Sequence, residues 1–440
     1  MEGSGPGGQP GLHRSLGTFE LTATGIGIIL GAGIYVLIGE AAGLAGNAVW
    51  VPFVGSALAA GFTGLTYAEL AARYPRAAAT FEYTRQAFGE RIGFIAGWTV
   101  LFAAVIQVSA VGIGFAGYFS ELTDLPRTPV TMSLIVVSGV VLWIGVKESV
   151  RVGVLFAAIE AGGLVLAIAV SARYVGGIDY FEFAGGFSDV MRASALLFFA
   201  FLGFEQMANL AEETREPRRS LPYAIILAVV ATTVVYILVA VTSVSVVNWR
   251  DLAASDAPLG LVVRTATGAQ LSKLLSVIAL FATANTVLFG LMAASRQAFG
   301  MARALALPSL LARLSHSRRT PWVAIIIVCL VSGLFSLAGT IGEVAQMSNA
   351  AILIAFMLVN AALIKVGMVD RRSHAPAGAA LAIRGVRIVP VFGFITSAVM
   401  LGYTGLVPIL LALGLVGSGW LITVLRARWD TVTATHGHAE

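Results

Sequence analysis

Apolar runs of about 20 residues recur from one end of this 440-residue chain to the other, and no other feature constrains its fold as strongly. A run of that length crosses the hydrocarbon core of a bilayer as one helix. A helix also satisfies its backbone hydrogen bonds internally, as lipid requires. Only 12% of the residues are charged, against about 25% in a typical soluble domain. The sequence therefore predicts an all-α integral membrane protein with about twelve transmembrane helices and no sizeable soluble domain.

The predicted spans are separated by short polar loops. They lie at roughly 17–39, 47–69, 92–118, 129–146, 152–172, 190–211, 221–247, 271–294, 322–338, 343–364, 388–404 and 406–425. Residues 1–14 are rich in Gly and Pro and are predicted to form a disordered cytoplasmic tail, and residues 428–440 a second cytoplasmic tail. The transporter domain is predicted to cover 15–427.

The position of the charges explains the basic pI of about 9.5. Most of the 28 Lys and Arg residues fall in loops on the same side as the N-terminus. By the positive-inside rule, this bias places both termini in the cytoplasm, with the protein in the cell (inner) membrane. The basic charge is thus a topology signal, and no nucleic-acid partner is expected.

Two spans contain an interruption. The first reads "GIGIILGAGIYV" at 25–36 and has Gly31-Ala32-Gly33 at its centre. The second reads "FFAFLGFEQMAN" at 198–209, where Gly203 is followed by the charged Glu205. The interruptions lie at similar depths and their spans start five spans apart. Interruptions at corresponding positions of two halves indicate an inverted-repeat transporter with a midplane site, because an odd number of spans per repeat turns the second copy upside down.

A broken helix offers both kinds of free backbone group. Its N–H end attracts an anion and its C=O end a cation, and a zwitterionic amino acid carries one of each charge. Ordinary close packing of helices through small residues such as Gly27 and Gly31 is the alternative explanation. Glu205 is expensive in lipid, and two roles stay open for it: capping of the second half-helix, or direct contact with substrate or ion.

Four segments resemble the amino acid–polyamine–organocation superfamily of permeases. They are "GIGIILGAGIYVLIG" (25–39), "LTYAELAARYPRAAATFEYTRQAFGERIGFIAGW" (65–98), "FFAFLGFEQMANLAEETREPRRSLPYAI" (198–225) and "AASRQAFGMARALALP…TPW" (293–322). The resemblance implies a LeuT-like fold of two inverted five-helix repeats, at about 17–172 and 190–364, plus two extra helices at about 388–425. It also implies secondary active transport of amino acids by alternating access.

The resemblance carries over to a set of site residues by position. The backbone N–H groups expected to meet the substrate carboxylate are those of Gly31, Ala32, Gly33 and Ile34. The carbonyls expected to meet the α-amino group are those of Ile28, Ile29, Phe199, Ala200 and Leu202. Phe199 and Phe201 would line or gate the pocket, with core packing as their alternative role, and Gly203 marks the second break.

The sequence departs from the family pattern in three places. Ala78 and Ala79 stand where many relatives carry two glycines, and Ala32 stands where many carry serine. In the fifth span, where proton-coupled relatives often carry lysine, this chain has Glu160 near the expected midplane. A carboxylate so deep is costly when ionised, and no Lys or Arg lies in the middle of a predicted span. Glu160 is therefore the candidate for proton coupling, with a purely structural protonated glutamic acid as the alternative.

No enzyme site is indicated. His13, His316, His374, His436 and His438 all lie in predicted tails or loops, which excludes an intramembrane histidine base and a metal site. The single cysteine, Cys329, lies in an apolar run, so no disulfide can form within the chain. No cofactor is expected. The expected function is amino acid transport, and amino acid exchange without proton coupling or amino acid sensing without transport are the alternatives.

Overall fold

The computed structural model describes residues 16–74, 79–144, 149–303, 306–315, 320–373 and 388–436. In these residues the backbone is helical apart from turns, loops and one isolated parallel bridge, between Leu16 and Thr214. The α-helices are α1 (Thr18–Ile29), α2 (Ala32–Ala45), α3 (Trp50–Arg73), α4 (Ala79–Phe88), α5 (Glu90–Thr123), α6 (Arg127–Ile144), α7 (Ser149–Ser171), α8 (Phe187–Leu197), α9 (Pro217–Val246), α10 (Trp249–Ala253), α11 (Pro258–Thr267), α12 (Ala269–Arg303), α13 (Trp322–Phe335), α14 (Ile341–Ser373), α15 (Val389–Tyr403) and α16 (Leu406–His436). The 3₁₀ segments are Gly46–Ala48, Ala172–Tyr174, Phe198–Phe201, Phe204–Glu213 and Ser309–Ala312.

The predicted membrane architecture is confirmed. Within the described residues, eight helices are long and apolar enough to cross a bilayer, and α1 with α2 forms a ninth span that bends by 51°. Two shorter apolar helices, α13 and α15, occupy two more predicted spans. The remaining predicted span holds α8 and the two 3₁₀ segments that follow it. The all-α membrane fold expected from hydropathy is therefore the fold observed.

Several boundaries differ from the prediction for local reasons. Helix α13 ends at Phe335. The hydroxyl of the next residue, Ser336, donates a hydrogen bond to the Gly333 carbonyl at 2.7 Å, and the chain then turns. Helix α16 continues to His436, so part of the predicted tail is helical. Helices α4, α10 and α11 lie outside the predicted spans, because α4 is polar on average and α10 and α11 are only five and ten residues long.

Four of the first five spans pack against their counterparts in the second half. Helix α2 contacts α8, α3 contacts α9, α5 contacts α12 and α6 contacts α13. The contact of α2 with α8 brings the two broken spans together. The exact limits proposed for the repeats and tails stay predictions, and residues 1–14 lie outside the described part of the chain.

One end of the bundle is closed by the loop helices. The backbone of α10 covers α2 so closely that a Cβ on Gly39 would lie 2.5 Å from the Leu252 carbonyl oxygen. Arg127 forms an ion pair with Asp256, in the segment between α10 and α11. Residues Ala32–Gly39 of α2 are all buried, whereas α1 exposes Phe19, Ala23 and Thr24. The two halves of the first span thus face very different surroundings.

Candidate functional site

The first break separates α1 from α2 at Leu30 and Gly31. The Gly31 N–H donates back to the Ile29 carbonyl at 2.7 Å, and the Ala32 N–H donates to Thr286 Oγ1 at 3.3 Å. The N–H groups of Gly33 and Ile34 follow in the first turn of α2, where a helix supplies no acceptor one turn back. This end of α2 therefore presents backbone donors and a partial positive charge to whatever lies beside it.

The second break runs from the end of α8 to Gly203. The Phe198–Phe201 segment is 3₁₀, Leu202 is extended, and Gly203 adopts φ +121° before the next 3₁₀ segment begins at Phe204. A φ of this sign is accessible to glycine and strained for other residues. The chain therefore depends on glycine to leave one half-helix and enter the other.

Two glycines bring the breaks into direct contact. A Cβ on Gly33 would lie 2.6 Å from Ala200 Cα, and a Cβ on Gly203 would lie 3.0 Å from the Ile28 carbonyl oxygen. Each broken span thus uses a glycine to approach the backbone of the other. Gly31 differs, because a Cβ there would have only Thr286 Oγ1 at 3.7 Å and the Ile29 carbonyl at 3.8 Å nearby. The open side of the break is at Gly31, and the packed side is at Gly33.

A tyrosine that the sequence analysis missed joins the two breaks. The hydroxyl of Tyr236, on α9, lies 2.9 Å from the Ile29 carbonyl oxygen and 2.9 Å from the Ala200 carbonyl oxygen. One phenolic hydrogen serves both acceptors, so at any instant one carbonyl is less well satisfied. Both carbonyls belong to the set predicted to bind the substrate amino group.

Aromatic contacts hold Tyr236 in place. Phe201 packs edge-on against its ring at 5.4 Å, and Phe53 lies 5.5 Å away. Phe199 and Phe201 are both buried, and Leu202 is 8% exposed. Phe201 thus packs against the ring of Tyr236, and its role in lining or gating the pocket stays a prediction.

Two further hydroxyls connect the first break to its neighbours. Thr286 accepts from the Ala32 N–H and donates to the Ala282 carbonyl at 3.0 Å. Tyr35, one turn into α2, donates to the Glu160 carbonyl at 2.6 Å. Their sequence signal is weak, because each is an uncharged polar side chain inside an apolar run, as is Tyr236.

Glu205 lies directly after the second break. Its Oε2 accepts a hydrogen bond from the Gly203 N–H at 2.8 Å. A carboxylate at the start of a helical segment that accepts from a free N–H is in the position of a cap. This contact supports the capping role over direct contact with a substrate or ion.

Glu160 lies on α7 and is 1% exposed. Its Oε1 has no hydrogen-bond partner in the described part of the chain, and the same holds for Asn285 Oδ1 on α12. Glu160 contacts the first broken span, because the Tyr35 hydroxyl donates a hydrogen bond to the backbone carbonyl of Glu160. A buried carboxylate without a cation is strongly destabilised when ionised, so burial favours the neutral acid.

No group of three or more His, Cys, Asp or Glu side chains able to hold a metal occurs among the residues that the structure describes. The site is thus built from backbone groups, hydroxyls and one buried carboxyl.

Comparison with known proteins identifies the family: a family model described as amino acid permease matches residues 16–425.

The chain belongs to the amino acid permease family. This permease is 31% identical to the branched-chain amino acid permease BcaP of Bacillus subtilis over 87% of its own chain and 86% of the relative. It is 29% identical to the methylthioribose transporter of Bacillus subtilis, with 86% of each chain covered. It is 28% identical to the vacuolar cationic amino acid transporter 4 of Arabidopsis thaliana, over 79% of this chain and 62% of that one. The permease is therefore a multi-pass membrane transport protein and not an enzyme.

The structure brings most of the predicted site residues of the permease to one place. Residues of the first break contact residues of the second through Gly33 with Ala200 and Gly203 with Ile28. Glu160 lies one helix away and contacts α2 through Tyr35. Of the predicted set on the first span, Ile28 and Gly31 are half-buried and the others are buried. These two residues mark the accessible edge of the candidate site.

Proposed function

We propose that this permease is a secondary active transporter that binds zwitterionic amino acids between its two helix breaks and moves them by alternating access. The observation that carries the proposal is that backbone N–H donors of one helix end lie near backbone carbonyl acceptors of other helix ends. The donor end of α2 lies beside Thr286, and the acceptor carbonyls of Ile29 and Ala200 face a common hydroxyl. A ligand with one negative and one positive charge matches this arrangement.

The substrate carboxylate binds the first-turn N–H groups of α2. Gly31 leaves the approach open, since a Cβ there would have neighbours only at 3.7 Å and beyond. The ammonium group takes the Ile29 and Ala200 carbonyls, which Tyr236 holds at 2.9 Å. An ammonium has three donors where the phenol has one, so it satisfies both carbonyls together.

The residues around the breaks favour neutral side chains on the substrate. Ile28, Ile29, Ile34, Phe199 and Leu202 are all apolar, and Glu205 is occupied by the Gly203 N–H. The name of the BcaP relative agrees with this choice. The relative named for methylthioribose shows that names in this family vary, so the proposal depends on the geometry of the breaks.

Glu160 couples protons to transport in this proposal. Its burial and its unpartnered Oε1 favour a carboxyl that is protonated while enclosed and releases the proton when water reaches it. Exchange of amino acids without proton coupling is the second candidate, and sensing without transport the third. In this proposal the protein lies in the inner membrane of the cell, with both termini in the cytoplasm.

The proposal is tested with purified permease in liposomes and radiolabelled L-leucine as the probe. A coupled transporter concentrates leucine inside when an ion gradient is imposed, a channel only equilibrates it, and a sensor binds it without flux.

A competition experiment tests how the breaks bind leucine. Leucine methyl ester, isoamylamine and 4-methylpentanoic acid each lack one charge that the breaks recognise. We expect each to compete at least about tenfold more weakly than leucine, since a lost charged hydrogen bond is worth about 1.5–3 kcal/mol. Equal competition by isoamylamine would show that the α2 donors do not bind a carboxylate.

A further inference from the structure

An apolar groove of about 700 Å³ lies between α6 and α13, away from the helix breaks. It follows the last two turns of α6 and the first turns of α13, and residues Leu314 and Ser315 close one end. Cavities of about 300–1,000 Å³ are the size that holds a small organic ligand. The groove is therefore large enough for a molecule and opens on the outer surface of the helix bundle.

A glycine creates the floor of the groove. Gly139 on α6 faces Cys329 on α13, and a Cβ on the glycine would lie 2.6 Å from the cysteine sulfur. The helices touch there, and Trp143 and Trp322, further along the same two helices, line the groove. Thr320 Oγ1 donates to the Trp143 carbonyl at 3.2 Å and ties the end of α6 to the chain entering α13. The groove is thus a built feature of this helix pair.

The lining and surroundings of the groove indicate its occupant. Trp143 is 49% and Trp322 39% exposed, and both stand where their helices end or begin, a position where tryptophan meets lipid headgroups. Arg313 directly precedes Leu314, is exposed, and has no acidic side chain within ion-pair distance among the described residues. An apolar slot with an unpaired cation at its mouth complements a molecule with an apolar chain and an anionic head.

We propose that this groove binds an acyl chain of an anionic membrane phospholipid whose phosphate pairs with Arg313. Apolar chain burial supplies the contact along α6 and α13, and the guanidinium supplies headgroup preference. Binding stabilises the packing of α6 on α13, because the acyl chain fills the groove beside the contact between Gly139 and Cys329. The proposal concerns a surface remote from the helix breaks and does not depend on transport.

The two groove tryptophans report on the lipid directly. Permease is reconstituted in phosphatidylcholine vesicles, and increasing fractions of dibrominated phosphatidylglycerol or dibrominated phosphatidylcholine are added while tryptophan fluorescence is recorded. We expect half-maximal quenching at an about fivefold lower fraction of the anionic lipid, the value of one basic residue near the membrane surface. The double variant Trp143→Phe/Trp322→Phe should lose this preferential component and keep the quenching of lipid-exposed Trp420.

Matched variants separate the site from general attraction. Arg313→Gln should remove the headgroup preference, whereas Arg218→Gln, which neutralises another exposed basic residue, should leave it intact. Val140→Phe, which fills the groove, should weaken quenching by the anionic lipid, while Val137→Phe, on the same helix and outside the lining, should not. Equal quenching by the two lipids in wild type, or equal loss in Arg218→Gln, overturns the proposal. So does a dimer in vesicles that Val140→Phe dissociates, since the occupant would then be a second copy.

Discussion

Gly31 and Gly33 stand two residues apart, yet their surroundings differ. Gly33 packs against the Ala200 backbone, whereas a Cβ on Gly31 would make only ordinary contacts, with Thr286 Oγ1 at 3.7 Å and the Ile29 carbonyl at 3.8 Å. The sequence analysis assigned both to the carboxylate site. At the residue scale, the structure makes Gly31 the informative position and Gly33 a packing position, where a side chain disturbs the fold before it can report on binding.

We expect Gly31→Val to fold and to lose leucine binding, because its side chain enters the space through which a carboxylate reaches the α2 donors. Thermal unfolding with and without leucine measures both effects, since a bound ligand raises the apparent stability. Gly61→Val is the control, because a Cβ on Gly61 meets nothing within 4 Å. A normal leucine-induced shift in Gly31→Val would contradict the carboxylate site.

Tyr236→Phe tests whether the phenol stands in for the substrate ammonium. The ring contacts with Phe201 and Phe53 stay, but the Ala200 carbonyl loses its phenolic donor and the Ile29 carbonyl keeps only the Gly31 N–H. We expect the empty protein to lose about 1–3 kcal/mol of stability, the cost of unsatisfied buried groups. Leucine should restore much of that loss, so its stabilising shift should exceed the wild-type shift. A smaller shift would mean that the hydroxyl belongs to the bound complex.

The role of Glu205 can be decided by its charge. If the side chain only caps the second half-helix, Glu205→Gln keeps an acceptor for the Gly203 N–H and should transport leucine nearly as wild type does. Glu205→Ala removes the cap and should lose about 1 kcal/mol of stability. Transport and thermal unfolding are measured on both variants. Loss of transport in the glutamine variant at normal stability would assign the charge to substrate or ion binding.

At the scale of elements, α1 and the Phe204–Glu213 segment, one half of each broken span, are joined by backbone contacts. Leu16, just before α1, pairs with Thr214, and the Arg215 N–H donates to the Leu16 carbonyl at 3.0 Å. The α1 start and the end of the Phe204–Glu213 segment therefore share a backbone hydrogen bond. Two elements joined this way are expected to move together when the site opens.

Arg215→Pro removes the donor of that bond, because proline has no N–H. We expect hydrogen exchange in α1 to become faster, with exchange in α5 unchanged. Arg218→Pro is the matched control, since it lies in the first turn of α9, where proline is tolerated and the N–H has no intrahelical acceptor. Equal acceleration in both variants would show that α1 is not held by the bridge.

The elements also show how far sequence reasoning reaches. Hydropathy predicted the spans, and Gly203 with its charged neighbour predicted the second break, because both signals are local. The partners Tyr236 and Thr286 could not be predicted, since they lie 207 and 254 residues from the groups they bind. The different surroundings of Gly31 and Gly33 could not be predicted for the same reason. They depend on where Ala200 packs, and the spacing of residues along the chain does not show this.

At the scale of the whole molecule, the proposed proton coupling requires Glu160 to move between dry and wet surroundings. In this structure the residue is 1% exposed, its Oε1 is unpartnered, and its backbone is bonded to Tyr35 of the broken span. Movement of α2 would therefore alter the surroundings of Glu160. This physical link between the substrate site and a buried acid is what proton coupling requires.

Glu160→Gln mimics the neutral acid and should separate binding from coupling. We expect near-normal leucine binding and exchange, but no accumulation driven by a proton gradient alone. The direction of the pH dependence follows from the chemistry. If the protonated acid is the form that carries substrate inward, wild-type uptake rises as the external pH falls, and the glutamine variant loses that dependence.

Glu90→Gln, which neutralises an exposed glutamate in the first turn of α5, is the control and should keep the wild-type dependence of uptake on external pH. Leucine uptake into liposomes is measured over a series of external pH values with the internal pH held constant. If Glu160→Gln still concentrates leucine on an inward proton gradient, the residue is structural and the coupling site lies elsewhere.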